Sequence, residues 1–211
     1  MMLISKVHDN QTIQDLTVEE ANLDHFSFDS ATLRNCRFIK CTFRDARLTD
    51  TVTYGCHFEG CDFSGALMGG SIHESSSFAN AKFQKARLYS AVFRECKLTG
   101  ATFDDADLGG TEIHGGDWSY TILRKAPFKG INLCKVKLAH ADLEGANLEK
   151  ADLRGTDLTG ANLAGAKLTA ADLRGATLDR IDLLALNWKG VVIDAAQAIE
   201  IARAHGAKVV S

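Results

Sequence analysis

The chain has a single proline, Pro127, among its 211 residues. Proline is a turn and loop residue, so one proline beside 18 glycines argues against a fold built on long conventional loops. Long apolar runs are also missing. None approaches the roughly 18 residues needed to span a bilayer, and the opening Met1-Met2-Leu3-Ile4-Ser5-Lys6 lacks the regions of a secretory signal. The expectation is a cytoplasmic protein that does not engage a membrane. A net charge of −3 and a pI near 6.2 argue against nucleic-acid binding through a broad basic surface.

Signatures of chemistry are equally sparse. There is no P-loop, dinucleotide fingerprint, nucleophile elbow or HExxH motif, so no catalytic residue and no enzyme activity is expected. The seven histidines show no ligand spacing, and the cysteines recur at five rather than at the two to four of zinc sites. The densest polar group is Asp104, Asp105, Asp107, Glu112, His114 and Asp117, and alternation spreads it over different sides of the molecule. No metal and no cofactor are expected.

What is present is a repeat. Every fifth residue from Ile13 to Ile193 is apolar at all but two of thirty-seven positions, the exceptions being Thr53 and His73. A period of five fits neither the 3.6 of a helix nor the 2.0 of a strand. The residue two before each centre is small, as in Ala31, Cys36, Cys41, Ala46 and the series Ala141, Ala146, Ala151. Asp or Asn often precedes the centre, and the cleanest block, residues 141–165, reads ADLEG ANLEK ADLRG TDLTG ANLAG. Two residues in five therefore point inward, a large one and a small one.

Five residues per side can close a square coil, so residues twenty apart should stack with strand-like pairing at about 4.8 Å. Thirty-seven repeats then give roughly nine coils and a rod about 45 Å long. The centres are phenylalanine-rich early and uniformly leucine from Leu133 to Leu183. Irregularity is expected at Thr51–Ser77, with its two polar centres, and at Gly109–Pro127, with its glycine pairs and proline. Five cysteines (Cys36, Cys41, Cys56, Cys61, Cys96) fall at the inward small position and are expected as packed free thiols, while Cys134 points outward.

These residues resemble the pentapeptide repeat family over about residues 20–193. The resemblance implies an all-β fold, a right-handed quadrilateral β-helix, here with a short C-terminal α-helix. Residues 1–193 are expected to form the solenoid, the first ~20 of them irregular or capping. Residues 194–211 are expected to form a capping or dimerisation helix and tail. Asp194 with Gln197 has the form of a capping box, and Gly206 suits the helix end. Ala195, Ala198, Ile199 and Ala202 share one helical face, which with Val209 is expected to cover the open solenoid end and to join a second copy.

The ending Val192-Ile193-Asp194-Ala195-Ala196-Gln197-Ala198-Ile199, followed by Ala204-His205-Gly206, is similar to the Qnr and MfpA type proteins. That likeness implies a DNA-mimicking protector of DNA gyrase or topoisomerase IV against quinolones or natural poisons. It further implies a homodimer through the C-terminal end and no direct contact with nucleic acid. Two rods end to end would span roughly 90 Å, about 26 base pairs.

One side carries eight acids, Asp24, Asp45, Asp62, Asp104, Asp105, Asp142, Glu144 and Asp182, against five bases. The expected partner-binding stripe is Asp62, Asp104, Asp105, Asp142, Glu144 and Asp182. Arg124 and Lys125 interrupt it, and the next side has four acids against six bases, so the acidity is modest. The alternative is a structural or scaffolding protein whose flat sides dock an unknown partner.

Overall fold

The computed structural model describes residues 11–210. Within them the period of five becomes a four-sided parallel β-solenoid. The register Thr12↔Thr32, Thr17↔Arg37, Asn22↔Thr42 and Ser27↔Arg47 marks the four sides, each stacking residues twenty apart. On the first side β1 (Thr12–Gln14), β3 (Thr32–Arg34), β5 (Val52–Tyr54), β7 (Ile72–Glu74), β8 (Val92–Arg94) and β9 (Glu112–His114) form a six-stranded sheet. On the second, β2 (Thr17–Glu19), β4 (Arg37–Ile39) and β6 (His57–Glu59) form a three-stranded one. Beyond His114 the sides are held by single ladder pairs such as Asp142↔Asn162 and Asp152↔Asp172. Of the first ~20 residues, expected to be irregular or capping, 1–10 lie outside the described residues, whereas Thr12–Gln14 and Thr17–Glu19 already form β1 and β2.

The corners explain the fifth position of the repeat. From Asp15 to Arg180 every fifth residue has a positive φ. Such left-handed backbone disfavours side chains with a Cβ, hence the glycines at Gly145, Gly155, Gly160 and Gly165. The other corners go to residues such as Asp45, Asn80 and Lys150. The pattern fails at Ala185, where the last coil loses its regular form.

Inside, the large centres and small partners are buried along one continuous core. The phenylalanines form two ring columns. Phe38, Phe58 and Phe78 stack at 5.2 and 4.8 Å, and Phe43, Phe63, Phe83 and Phe103 at 4.7, 5.2 and 4.8 Å. Each spacing is close to the strand separation, so coil stacking itself brings the rings face to face. Between the columns the rings meet edge-on, as Phe58 does with Phe63 at 5.6 Å. Trp118 ends the series, tilted 20° from Phe103.

The two polar centres prove to be one compensated exchange. Thr53 and His73 are register partners on β5 and β7. His73 Nδ1 lies 2.9 Å from Thr53 Oγ1, and Nε2 lies 3.0 Å from Ser71 Oγ. Ser71 donates to the Met68 carbonyl, which leaves Nε2 as the ring donor and Nδ1 as the acceptor from Thr53. Ser76 completes the group, 3.0 Å from Thr53 Oγ1 and accepting from the Cys56 N–H. Burial pushes His73 down to about 3, so it stays neutral. The expected irregularity at Thr51–Ser77 is therefore corrected: β5, β6 and β7 run through it in register, because the polar centres satisfy one another.

The cysteines also do more than fill space. After every strand from β3 to β8 the small position is Cys or Ser, namely Cys36, Cys41, Cys56, Cys61, Ser76 and Cys96. Each of these side chains has the carbonyl two residues back within hydrogen-bond reach, as Cys36 has that of Arg34 and Ser76 that of Glu74. At the other corners a backbone N–H closes the turn instead, as from Ala146 to the Leu143 carbonyl. All five thiols are free and buried, and Cys134 is half-exposed, as expected.

Candidate partner-binding surface

The third side of the coil carries the acidic stripe, through ladder positions such as Asp62 and Asp142 and the corner Asp105. Its carboxylates are not equally available. Arg44 Nε reaches Asp62 Oδ2 at 3.0 Å, and Ser64 donates to the same carboxylate from both backbone and side chain. Burial pushes Asp62 up, but the Ser64 hydrogen bonds and the Arg44 guanidinium outweigh it and hold the group below the usual range. Farther on, Arg124 bonds Asp142 at 2.6 Å and lies 4.0 Å from Glu144. The Asp142 hydrogen bond and charge raise the Arg124 guanidinium above its ordinary value.

Asp104 and Asp105 form no salt bridge among the described residues. Asp182 accepts from the Leu184 and Ala185 amides in the irregular last coil. The stripe is thus on one side, with Asp104 and Asp105 as its open centre and arginines closing it on either flank.

The C-terminal end is built by α1 (Ala195–Ala204). Asp194 accepts from the Gln197 amide while the Gln197 side chain accepts from Asp194, which makes the capping box. His205 holds the other end, and Gly206 follows with φ 83°. These two cap residues also latch the helix to the rod. Asp194 Oδ2 accepts from the Gly175 N–H at 2.8 Å, and buried Gln197 donates to the Leu173 and Ala176 carbonyls at 2.6 and 2.8 Å. The amides of Gln197 and Gly175 lower the Asp194 carboxyl.

Of the expected dimerisation residues, Ala195, Ala198 and Ile199 are exposed, while Ala202 and Val209 are half-buried. The small-residue face therefore does not cover the solenoid. Asp194 and Gln197 hold the helix there instead, because their polar groups satisfy backbone groups that the last coil leaves open. The sequence signal for the latch was the capping box, but a box says nothing of a buried glutamine's second partners. Around the helix the end keeps exposed apolar side chains, Leu184, Val192, Ile199 and Val210.

Among the described residues no cluster of His, Cys, Asp or Glu could hold a metal, and no helix is long and apolar enough to cross a membrane. Glu112 and His114 touch each other at 3.0 Å on the surface of β9.

The model of the pentapeptide repeats matches eight copies, over residues 17–50, 75–115, 119–149 and 146–183. The unmatched stretches include the polar centres Thr53 and His73, and Gly116–Trp118. The pentapeptide repeat protein MfpA of Mycobacterium tuberculosis is 35 % identical over 99 residues. That match covers 47 % of this chain and 54 % of MfpA, so the chain spans about half the length of that curated relative.

Among solved structures, trypsin-treated QnrB1, a plasmid-mediated fluoroquinolone resistance protein, superposes with a TM-score of 0.85 at 25 % identity, covering 95 % of this chain and all of that one. HetL, involved in heterocyst differentiation regulation in the cyanobacterium Nostoc, superposes with a TM-score of 0.59 at 25 % identity over 87 % of each chain. This chain belongs to the pentapeptide repeat family and is a Qnr/MfpA-like member of it.

Proposed function

We propose that this protein protects a type II topoisomerase, DNA gyrase or topoisomerase IV, from quinolones or natural-product poisons, as a rod that occupies a DNA-binding surface. The observation that carries this reading is the superposition on QnrB1 along nearly the whole of both chains. Two features of the rod bear on mechanism. Asp104 and Asp105 offer the unpaired carboxylates that a phosphate-binding surface would meet, while Asp62, Asp142 and Glu144 are partly neutralised and Asp182 is spent on backbone groups. The apolar C-terminal end, with Ile199 and Leu184, suits a second copy and so a longer rod.

Supercoiling by purified gyrase with a quinolone, at constant salt, tests the reading. Added protein should restore supercoiling and lower drug-trapped cleaved DNA. Asp104→Lys with Asp105→Lys should lose that rescue at least tenfold. Separately, Ile199→Asp should halve the particle mass in light scattering; an unchanged mass removes the dimer. Failure of rescue with several gyrases and with topoisomerase IV would move the protein to the second reading, a scaffold for another partner. The arginines at Asp62 and Asp142 favour that reading, because they leave the side far less acidic than a mimic of the DNA backbone requires.

A further inference from the structure

The coil ladder opens at one place in the middle of the rod. On the first side each coil donates to the one before it, Ile72 to Thr51, Val92 to Ser71, Glu112 to Ala91, at 2.8–2.9 Å. Among the described residues the next donor in the series, Asn132, has no backbone partner, and the Ile113 and Gly115 amides find none on Asn132 and Cys134. One step further the ladder is whole again, with Leu133 and Lys135 donating to Asp152 and Arg154. β9 is accordingly an edge strand inside the solenoid.

Two residues account for the opening. Pro127 has no N–H, so it cannot make the bond that Asn147 makes to the Ala126 carbonyl at 2.9 Å. Gly116 stands where Cys or Ser follows the earlier strands. With φ at 88°, a Cβ here would fall 2.2 Å from the Cys96 carbonyl oxygen, so the position admits only glycine. Gly116 therefore turns this corner with no side chain to lock it, and only its carbonyl reaches the next coil, accepting from the Lys137 N–H at 3.2 Å.

The result is a groove. Two adjoining cavities of about 310 and 600 Å³ meet at Ile113, His114 and Asn132, each in the size range of ligand sites. Inward residues that are buried along most of the rod are half-exposed here, at Ala106, Gly116 and Ile131. Trp118, just past Gly116, is fully buried with its indole N–H unpartnered.

We propose that the seam between Thr111–Gly116 and Ile131–Lys135 is a docking groove that takes an extended segment of a partner protein by strand addition. The unpaired row of backbone groups specifies the occupant. Open N–H and C=O groups at strand spacing are satisfied by another extended chain, and the half-exposed Ile131 offers an apolar floor for alternate side chains. The rims of the two cavities together are balanced, with Lys97, Lys135 and Lys137 against Glu95, Glu112 and Asp117, so recognition rests on main chain and apolar contacts rather than on charge. The inference is independent of which enzyme the rod protects.

Amide hydrogen exchange on the full chain reads the groove directly. In the free protein Ile113, Gly115 and Asn132 should exchange at least a hundredfold faster than Leu133 and Lys135; equal protection would overturn the proposal. Dodecapeptides selected from a random displayed library should then slow those three amides at least tenfold.

Pro127→Asn, which supplies the missing N–H opposite Ala106, should remain folded and bind the same peptides at least tenfold more weakly. Selection of no binder, protection mapping to another side, or undiminished binding to Pro127→Asn would each sink the idea. Protection that appears without peptide as protein concentration rises would assign the groove to a second copy and overturn it equally.

Discussion

The phenylalanine half and the leucine half of the rod build the same coil with different joints. In the first half, true strands run to β9 on one side and to β6 on the next, the rings stack from coil to coil, and thiols or hydroxyls close the strand corners. After Trp118 every side is down to single ladder pairs, leucines replace the rings from Leu133 on, and backbone amides close the corners, as Thr156 does to Leu153. The seam at Gly116 and Pro127 lies where the two constructions meet. A period fixes how often the chain turns inward. The side chains decide how each turn is locked, and a mismatch of locks opens the stack.

Breaking the ring column should be the most costly change. Phe63→Ala removes a ring that stacks on two neighbours and meets two more edge-on, and is expected to cost about 4 kcal/mol in urea unfolding. Leu153→Ala, at the same kind of centre in the other half, should cost about 3 kcal/mol. Equal costs would mean that the columns add nothing beyond burial.

Acid should separate the halves next. His73 is the one buried histidine among the described residues. Unfolded it titrates near 6.5, whereas in the fold it remains neutral down to about 3. Between those values the unfolded chain binds the extra proton. Its contribution is therefore fully present above pH 6.5 and is lost as the pH falls, by about 1.4 kcal/mol per unit. Thr53→Leu with His73→Phe should flatten that slope in unfolding measured from pH 7.5 to 4. An unchanged slope would place the acid sensitivity elsewhere.

The corner locks should give the smallest effect. Cys61→Ala removes a thiol whose one S–H is shared between the Phe38 carbonyl at 3.3 Å and the Glu59 carbonyl at 3.9 Å and should cost about 1 kcal/mol or less. Ala161→Cys in the leucine half, where the amide of residue 161 already closes the corner on Leu158, should leave the thermal midpoint where it was.

Much of this was legible in the residues. The period, the two inward positions and the inward cysteines followed from spacing alone, since stacking twenty apart leaves a side chain only one direction to point. Asp194 and Gln197 announced the helix start. What stayed hidden were pairings across coils. Thr53 and His73 looked like damage because each was judged by its own pentapeptide, and their bond connects residues twenty apart. Arg44 on Asp62 and Arg124 on Asp142 were similarly invisible to a count of charges by side, because a count gives no distances. Gly116 and Pro127 were visible as oddities, but the seam they open depends on which backbone groups they leave facing each other.

Twenty-residue stacking also makes the length of this molecule a quantised property. Removing or adding one coil shifts the far end by a single strand spacing, about 4.8 Å, and leaves every surviving neighbour in register. A change of any other size would rotate one end of the rod against the other. The rod can thus be lengthened or trimmed like a gauge with fixed divisions, and the division nearest its middle, at Gly116, is the one already ajar.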